Sequence, residues 1–256
     1  MLLFSMLVAG SFALGALAAN EIAPSVLNAV RFWIATLVIG VAVALTGGVP
    51  RTALAAPWRY LILAGFFCTY FVLMFEGLKT APPVSAAAVF TLTPILAAIA
   101  GWVLLRQILT SHMAIALFIG AVGALWVIFR ADISALLQFD VGPGELIYFV
   151  GCVAHAIYTP LVRKLNRGET ALVFTFGVLL AGSILLTLWS GASIIATDWA
   201  GLPSIVWVTI LYTAIFASAA TFTLLQFASR RRPSSKFFSY TYLNSSCVIF
   251  LEFSLF

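Results

Sequence analysis

Nine stretches of roughly twenty residues, apolar almost throughout, follow one another along this chain and leave only short connections between them. They run Leu2–Ala19, Val26–Thr46, Trp58–Leu78, Ser85–Leu105, His112–Phe129, Glu145–Leu165, Ala171–Trp189, Ser204–Ala228 and Ser235–Leu255. At about 1.5 Å per helical residue, each is long enough to cross the ~30 Å hydrocarbon core of a bilayer. The chain therefore reads as all-α, a polytopic membrane helical bundle. Composition points the same way: of 256 residues, 63% are hydrophobic and 8% charged, whereas soluble domains are near half apolar and a quarter charged.

Loop charges orient the spans. With the N-terminus inside, the cytoplasmic side receives Arg51, Arg59, Arg106, Arg163, Lys164, Arg167, Arg230, Arg231, Arg232 and Lys236. The outer side receives only Lys79 and Arg130, with Arg31 near the outer edge. Because Lys and Arg gather in cytoplasmic loops, we expect a multi-pass protein of the plasma (inner) membrane with a cytoplasmic N-terminus. The same bias accounts for the net charge of +5 with no nucleic-acid partner. Ala16-Leu17-Ala18 has the form of a signal-peptidase site, but no Lys or Arg precedes Arg31, so Met1 to Ala19 reads as a retained first helix. Cys68, Cys152 and Cys247 lie inside apolar runs and show no metal or disulfide spacing. No phosphate loop, zinc spacing or hydrolytic triad is present. The expectation is no cofactor, no metal, no catalytic residue and no enzymatic activity.

The segment Leu78 to Gln107 is the most informative single stretch. It opens on Pro82-Pro83, continues through the small residues Ser85, Ala86, Ala87 and Ala88, and carries Pro94 halfway along. Small residues allow close helix approach in lipid. A mid-membrane proline removes a backbone donor, which is tolerated where the helix is buried or lines a cavity. When Phe71 is laid over Phe222, Leu73, Pro82 and Leu92 fall on Leu224, Pro233 and Leu243, and Pro94 falls opposite Ser245. The loops of the two halves carry opposite charge: none after span 1 against Arg163, Lys164 and Arg167 after span 6, and Arg51 with Arg59 after span 2 against only Asp198 after span 7. Opposite charge in corresponding loops is the mark of an inverted-topology repeat. Five spans per half supply the odd number that inversion requires.

Asn28-Ala29-Val30-Arg31-Phe32, Glu76-Gly77-Leu78-Lys79, Ala86 to Pro94 and Tyr240-Thr241-Tyr242-Leu243, in this order and spacing, resemble the EamA family of the drug/metabolite transporter superfamily. The resemblance implies ten helices in two inverted repeats of five, with both termini cytoplasmic. Residues 1–130 would form the first repeat (spans 1–5) and 145–256 the second (spans 6–9). The chain departs from the family at Gln107, where an acid is usual, and at Ser245, where a proline is usual. It stops at Phe256, within or just after span 9, so the second repeat is expected to lack its tenth helix.

Polar residues inside spans are functional candidates, and depth sorts them. Counting from Glu145, His155 lies about 15 Å in, at the middle of the core. Tyr158 follows one turn deeper on nearly the same face, and Pro160 is expected to weaken the helix beyond it. Phe12, Tyr70, Thr91, Pro94, Tyr242 and Asn244 fall at the same level. Substrate sites of repeat-built transporters lie at the midplane beside interrupted helices, so these eight residues are the expected substrate-binding set. His155 titrates near neutral pH and reads either as a substrate ligand or proton carrier, or as a neutral histidine bonded to a neighbouring helix. Arg31 either snorkels outward or attracts an anionic group on the substrate. Glu76, about 25 Å along span 3, is spaced for a local ion pair with Lys79. His155, Arg31 and Glu76 form the candidate proton or charge set. Glu145 starts a helix, where a carboxylate offsets the macrodipole.

The function implied is secondary transport of a small polar or amphipathic, amino-acid-like metabolite, in the export direction, by alternating access at a midplane site. Expected partners are the lipid bilayer, a small-molecule substrate and, as an open possibility, a second copy of the chain. Two other readings stay open: a truncated, non-transporting protein or half-assembly needing a partner, and an intramembrane enzyme joining His155 to Glu76 or Glu145. Depth weighs against the enzyme, since both carboxylates lie about 10–15 Å from the histidine level.

Overall fold

A computed structural model describes residues 2–107, 110–129, 132–133, 141–221 and 248. Ten α-helices are seen among them: α1 (Leu2–Ala18), α2 (Pro24–Leu45), the short α3 (Arg51–Leu54), α4 (Trp58–Gly77), α5 (Pro83–Phe90), α6 (Thr93–Leu105), α7 (Ser111–Ile128), α8 (Pro143–Leu165), α9 (Ala171–Ala196) and α10 (Ser204–Ala214). A π-helical turn, Ile215–Ala220, continues α10. Five segments are long and apolar enough to cross a membrane: α2, α4, α5 with α6, α8 and α9; Met6–Ala18, Ala114–Ile128 and Ser204–Ser218 are shorter apolar helices. The described residues form an all-α polytopic bundle, as expected. Tyr242, Asn244 and the repeat counterparts Phe222, Leu224, Pro233, Leu243 and Ser245 lie outside the described residues.

Local chemistry sets the helix ends. Proline stands in the first positions of α2, α5, α6 and α8, where its missing N–H has no helical acceptor to lose. Glu145 sits in the first turn of α8 and Arg163 with Lys164 in its last, so both ends of the dipole are offset. Thr170 caps α9 by accepting from the Val173 N–H at 3.3 Å. α6 closes at Arg106, whose φ of 52° is left-handed, while its N–H returns to the Trp102 carbonyl at 2.9 Å.

Two expected boundaries change. Span 4 is not one helix weakened at Pro94: it breaks at Thr91–Leu92, and Pro94 stands in the first turn of the second piece, which Thr93 begins. The missing Pro94 N–H would have served the Phe90 carbonyl, so α5 ends there. The expected loop from Ser190 is helix as far as Ala196, because Ser190 bonds back to the Leu186 carbonyl at 2.6 Å and stays buried. In α8, Pro160 is accommodated and the helix runs on to Leu165.

α4 packs most extensively on α8, and α2 on α9; α5 and α6 also lie on α8, α4 on α9, and α1 and α2 on α10. Glycine makes the closest seam. A Cβ on Gly77 would come within 2.6 Å of the Gly144 carbonyl oxygen, so α4 and α8 touch backbone to backbone. One apolar core joins Phe32, Leu63, Phe67, Val178 and Leu179 between α2, α4 and α9. A second joins Phe12, Tyr70, Phe90, Tyr148 and Cys152 between α1, α4, α5 and α8. α7 is peripheral, with Phe118 69% and Ile119 65% exposed, the pattern of a lipid-facing helix. Trp58, Trp102, Trp189 and Trp207 are exposed near helix ends, where aromatic belts lie.

Candidate functional site

The α5–α6 break, α1, α4 and α8 surround an aromatic cluster that contains four of the residues selected by depth. The His155 ring stacks on Tyr70 (centroids 4.4 Å) and on Tyr158 (5.9 Å), as its one-turn spacing from Tyr158 anticipated. Phe90 stands 6.1 Å from His155 and 5.9 Å from Phe12, which in turn meets Tyr148 edge-on at 6.0 Å. The hydroxyls of Tyr70 and Tyr148 are hydrogen-bonded at 3.1 Å. Tyr158 continues the cluster to Phe67 at 5.0 Å. α1 and α4 thus meet α8 around His155.

Two buried polar atoms here lack a well-formed hydrogen bond among the described residues: His155 Nδ1, and Thr93 Oγ1, which has only the weakly bonding Cys152 thiol beside it. The expected alternative of a histidine bonded to a neighbouring helix is therefore not met at Nδ1. Thr93 begins α6 next to Pro94, and both are buried. Thr91 is satisfied locally, donating to the Ala88 carbonyl at 2.6 Å. An orphaned imidazole nitrogen and a weakly bonded hydroxyl beside an interrupted helix are groups a polar ligand can satisfy.

The charged candidates have separate fates. Arg31 does not snorkel: it is 0% exposed, inside the bundle. Its Nε and Nη2 donate to Ser218 Oγ at 3.3 and 3.1 Å, and its Nη1 donates to Asn28 Oδ1 at 3.4 Å. Its guanidinium lies 4.0 Å over the Phe71 ring. Glu76 pairs with Lys79 at 2.9 Å, the local ion pair its spacing predicted. Glu145 is buried and accepts from the Ser85 hydroxyl at 2.8 Å. Neither carboxylate is hydrogen-bonded to His155.

Sequence reasoning missed a second buried arginine. Arg59, at the start of α4, donates to Glu169 Oε1 and to the Leu165 carbonyl, each at 2.6 Å, and to the Ala56 carbonyl at 3.1 Å. Side-chain exposures are 1% and 3%. Burial acts against the charge of Glu169, but the Arg59 guanidinium and the Arg167 backbone N–H outweigh it and hold the carboxyl down at about 2. Glu169 was the one acid in a basic loop, which was the available signal. At the opposite end of the bundle, the α1–α2 and α9–α10 connections border a cavity of about 350 Å³ lined by Glu21, Ala23, Thr197, Asp198 and Pro203 among others. It lies at the rim, away from the aromatic cluster.

The EamA-like transporter family matches residues 1–129 and 142–256. The chain belongs to this family. A relative in Bacillus subtilis (strain 168), the uncharacterized transporter YyaM, is 28% identical over 218 residues, covering 84% of this chain and 71% of its own length. A solved crystal structure aligns with 97% of this chain and 84% of its own at a TM-score of 0.69 and 21% identity, a likeness of fold alone. For an EamA-like chain the cluster's position is informative: its members come from α1, α4 and α5 in one matched segment and α8 in the other.

Proposed function

We propose that this EamA-like protein is a secondary transporter that exports a small polar or amphipathic, amino-acid-like metabolite across the plasma (inner) membrane, with its N-terminus cytoplasmic. The observation that carries the reading is the meeting of Phe12, Tyr70, His155 and Tyr158 beside an interrupted helix, with His155 Nδ1 and Thr93 Oγ1 lacking a well-formed hydrogen bond among the described residues. Interrupted helices at mid-membrane are where repeat-built transporters hold substrate.

Helix pairing supports the inverted repeat. Under exchange of the halves, α4 on α8 becomes α1 on α10, α4 on α9 becomes α2 on α10, and α2 on α9 maps onto itself. All five pairings are present.

Purified protein in liposomes, loaded with a mixed metabolite panel, tests the reading. Release of at least one solute above protein-free vesicles is expected; release of none rejects transport. His155→Gln is expected to slow release of that solute or flatten its pH dependence. Full transport with an unchanged pH profile would remove the proton role.

A further inference from the structure

Four charged side chains are buried among the described residues: Arg31, Arg59, Glu145 and Glu169. Arg59 has Glu169, and Glu145 has Ser85 and a helix N-terminus. Among the described residues Arg31 has neutral companions only. The described acids are engaged elsewhere or lie at the rim, and Arg31 forms no ion pair among the described residues. An ion held away from water costs several kcal/mol unless an opposite charge and full hydrogen bonding offset it.

The surroundings of Arg31 suit an anion. Among the described residues, three of the five guanidinium N–H groups find acceptors, two of them on the single oxygen of Ser218. That hydroxyl donates in turn to the Thr213 carbonyl at 2.9 Å, five residues back, a reach allowed by the π-helical turn Ile215–Ala220. Ser218 is thereby saturated, and it supplies one oxygen where the Nε and Nη2 edge of the fork matches two. π-turns inside helices recur at functional sites. The guanidinium rests on Phe71, which meets Tyr70 at 4.7 Å and Phe67 at 4.8 Å, so the cation borders the aromatic cluster. Among the described residues no second cation stands beside this one, and a single positive charge suits a monoanion rather than a phosphate dianion.

We infer that Arg31, with Asn28 and Ser218, receives the carboxylate of an amphipathic monocarboxylate whose apolar body lies along Phe71 and Tyr70. The two carboxylate oxygens take the fork edge that Ser218 now holds, and the bundle opens to admit the ligand. This substrate class rests on the transport reading for its use, while the site itself is a statement about binding.

Equilibrium dialysis of the full chain in nanodiscs, with empty nanodiscs subtracted, tests it using radiolabelled phenylacetate and its neutral counterpart 2-phenylethanol. Phenylacetate is expected to bind at least tenfold more tightly, and inorganic phosphate to leave that binding unchanged. Arg31→Met should remove the preference and Arg31→Lys retain part of it, each checked for folding by thermal melting. Equal binding of the two probes by the parent protein overturns the site without recourse to any variant, as does phosphate competition or an undiminished preference in folded Arg31→Met. Liposome flux separates the two ideas. Phenylacetate bound but moved no faster than through empty vesicles leaves the site standing and the transport reading failed. A neutral solute transported while phenylacetate neither binds nor inhibits gives the reverse.

Discussion

Arg59 and Arg31 are both fully enclosed, yet their surroundings differ in kind. Arg59 lies at a helix end and spends its donors on a carboxylate and two carbonyl oxygens. It joins α4 to the connection between α8 and α9. Arg31 lies about 10 Å inside α2 and spends its donors on an amide oxygen and one hydroxyl, with an aromatic face beneath it. The first arrangement is complete in itself. The second carries a charge without a counterpart among the described residues, as a site does when the counterpart is the ligand. A buried arginine therefore says little by itself; the sign and number of its acceptors decide whether it fastens the bundle or waits for an anion.

The largest expected effect is at the closed pair. Glu169→Ala leaves the Arg59 charge buried alone and should cost about 3–5 kcal/mol, read by denaturant titration in micelles. The loss should depend on pH. Because the Glu169 carboxyl is held down at about 2, the pair's stabilisation is complete above the ordinary carboxylate value of about 4.3 and is lost as pH falls toward about 2. The gap between parent and Glu169→Ala should therefore be constant above about pH 5 and close on acidification below about pH 4. At the other arginine, Arg31→Met should change stability by no more than about 1 kcal/mol, since removing a desolvated charge offsets the lost hydrogen bonds. A loss as large as that of Glu169→Ala would erase the contrast between them. The smallest effect is conditional: Ser218→Ala should cost about 1 kcal/mol with Arg31 present and almost nothing beside Arg31→Met. Additive losses in the double variant would show that Ser218 acts through the π-turn rather than through the guanidinium.

How much of the site could be read in advance depended on the kind of signal. Depth along a span is a one-dimensional quantity, and it selected Phe12, Tyr70, His155 and Tyr158, which meet in one cluster. The same count could not find Phe90 and Tyr148, whose relevance comes from which neighbouring helix they face. Short-range spacing sufficed for Glu76 with Lys79, three residues apart on one helix. It failed for Arg59 with Glu169, because partners on different elements have no common period in the sequence. For Arg31 the sequence left two readings, snorkelling outward or attracting an anionic group; α10 and its π-turn enclose it and remove the first.

The sequence alone determined the fold class and the family, because a bilayer accepts long apolar helices almost independently of how they pack, and because the loop charges and motif order survive without coordinates. It also located the weak point of span 4 to within a turn, since proline acts on its own backbone. What only the tertiary structure decided is which buried polar groups are satisfied: Arg59 by Glu169, Glu145 by Ser85, Arg31 by neutral oxygens, and His155 Nδ1 and Thr93 Oγ1 by no well-formed hydrogen bond among the described residues. Satisfaction is a property of pairs brought together across helices, and in a low-dielectric interior those pairs set both the cost of a charge and its availability to a ligand.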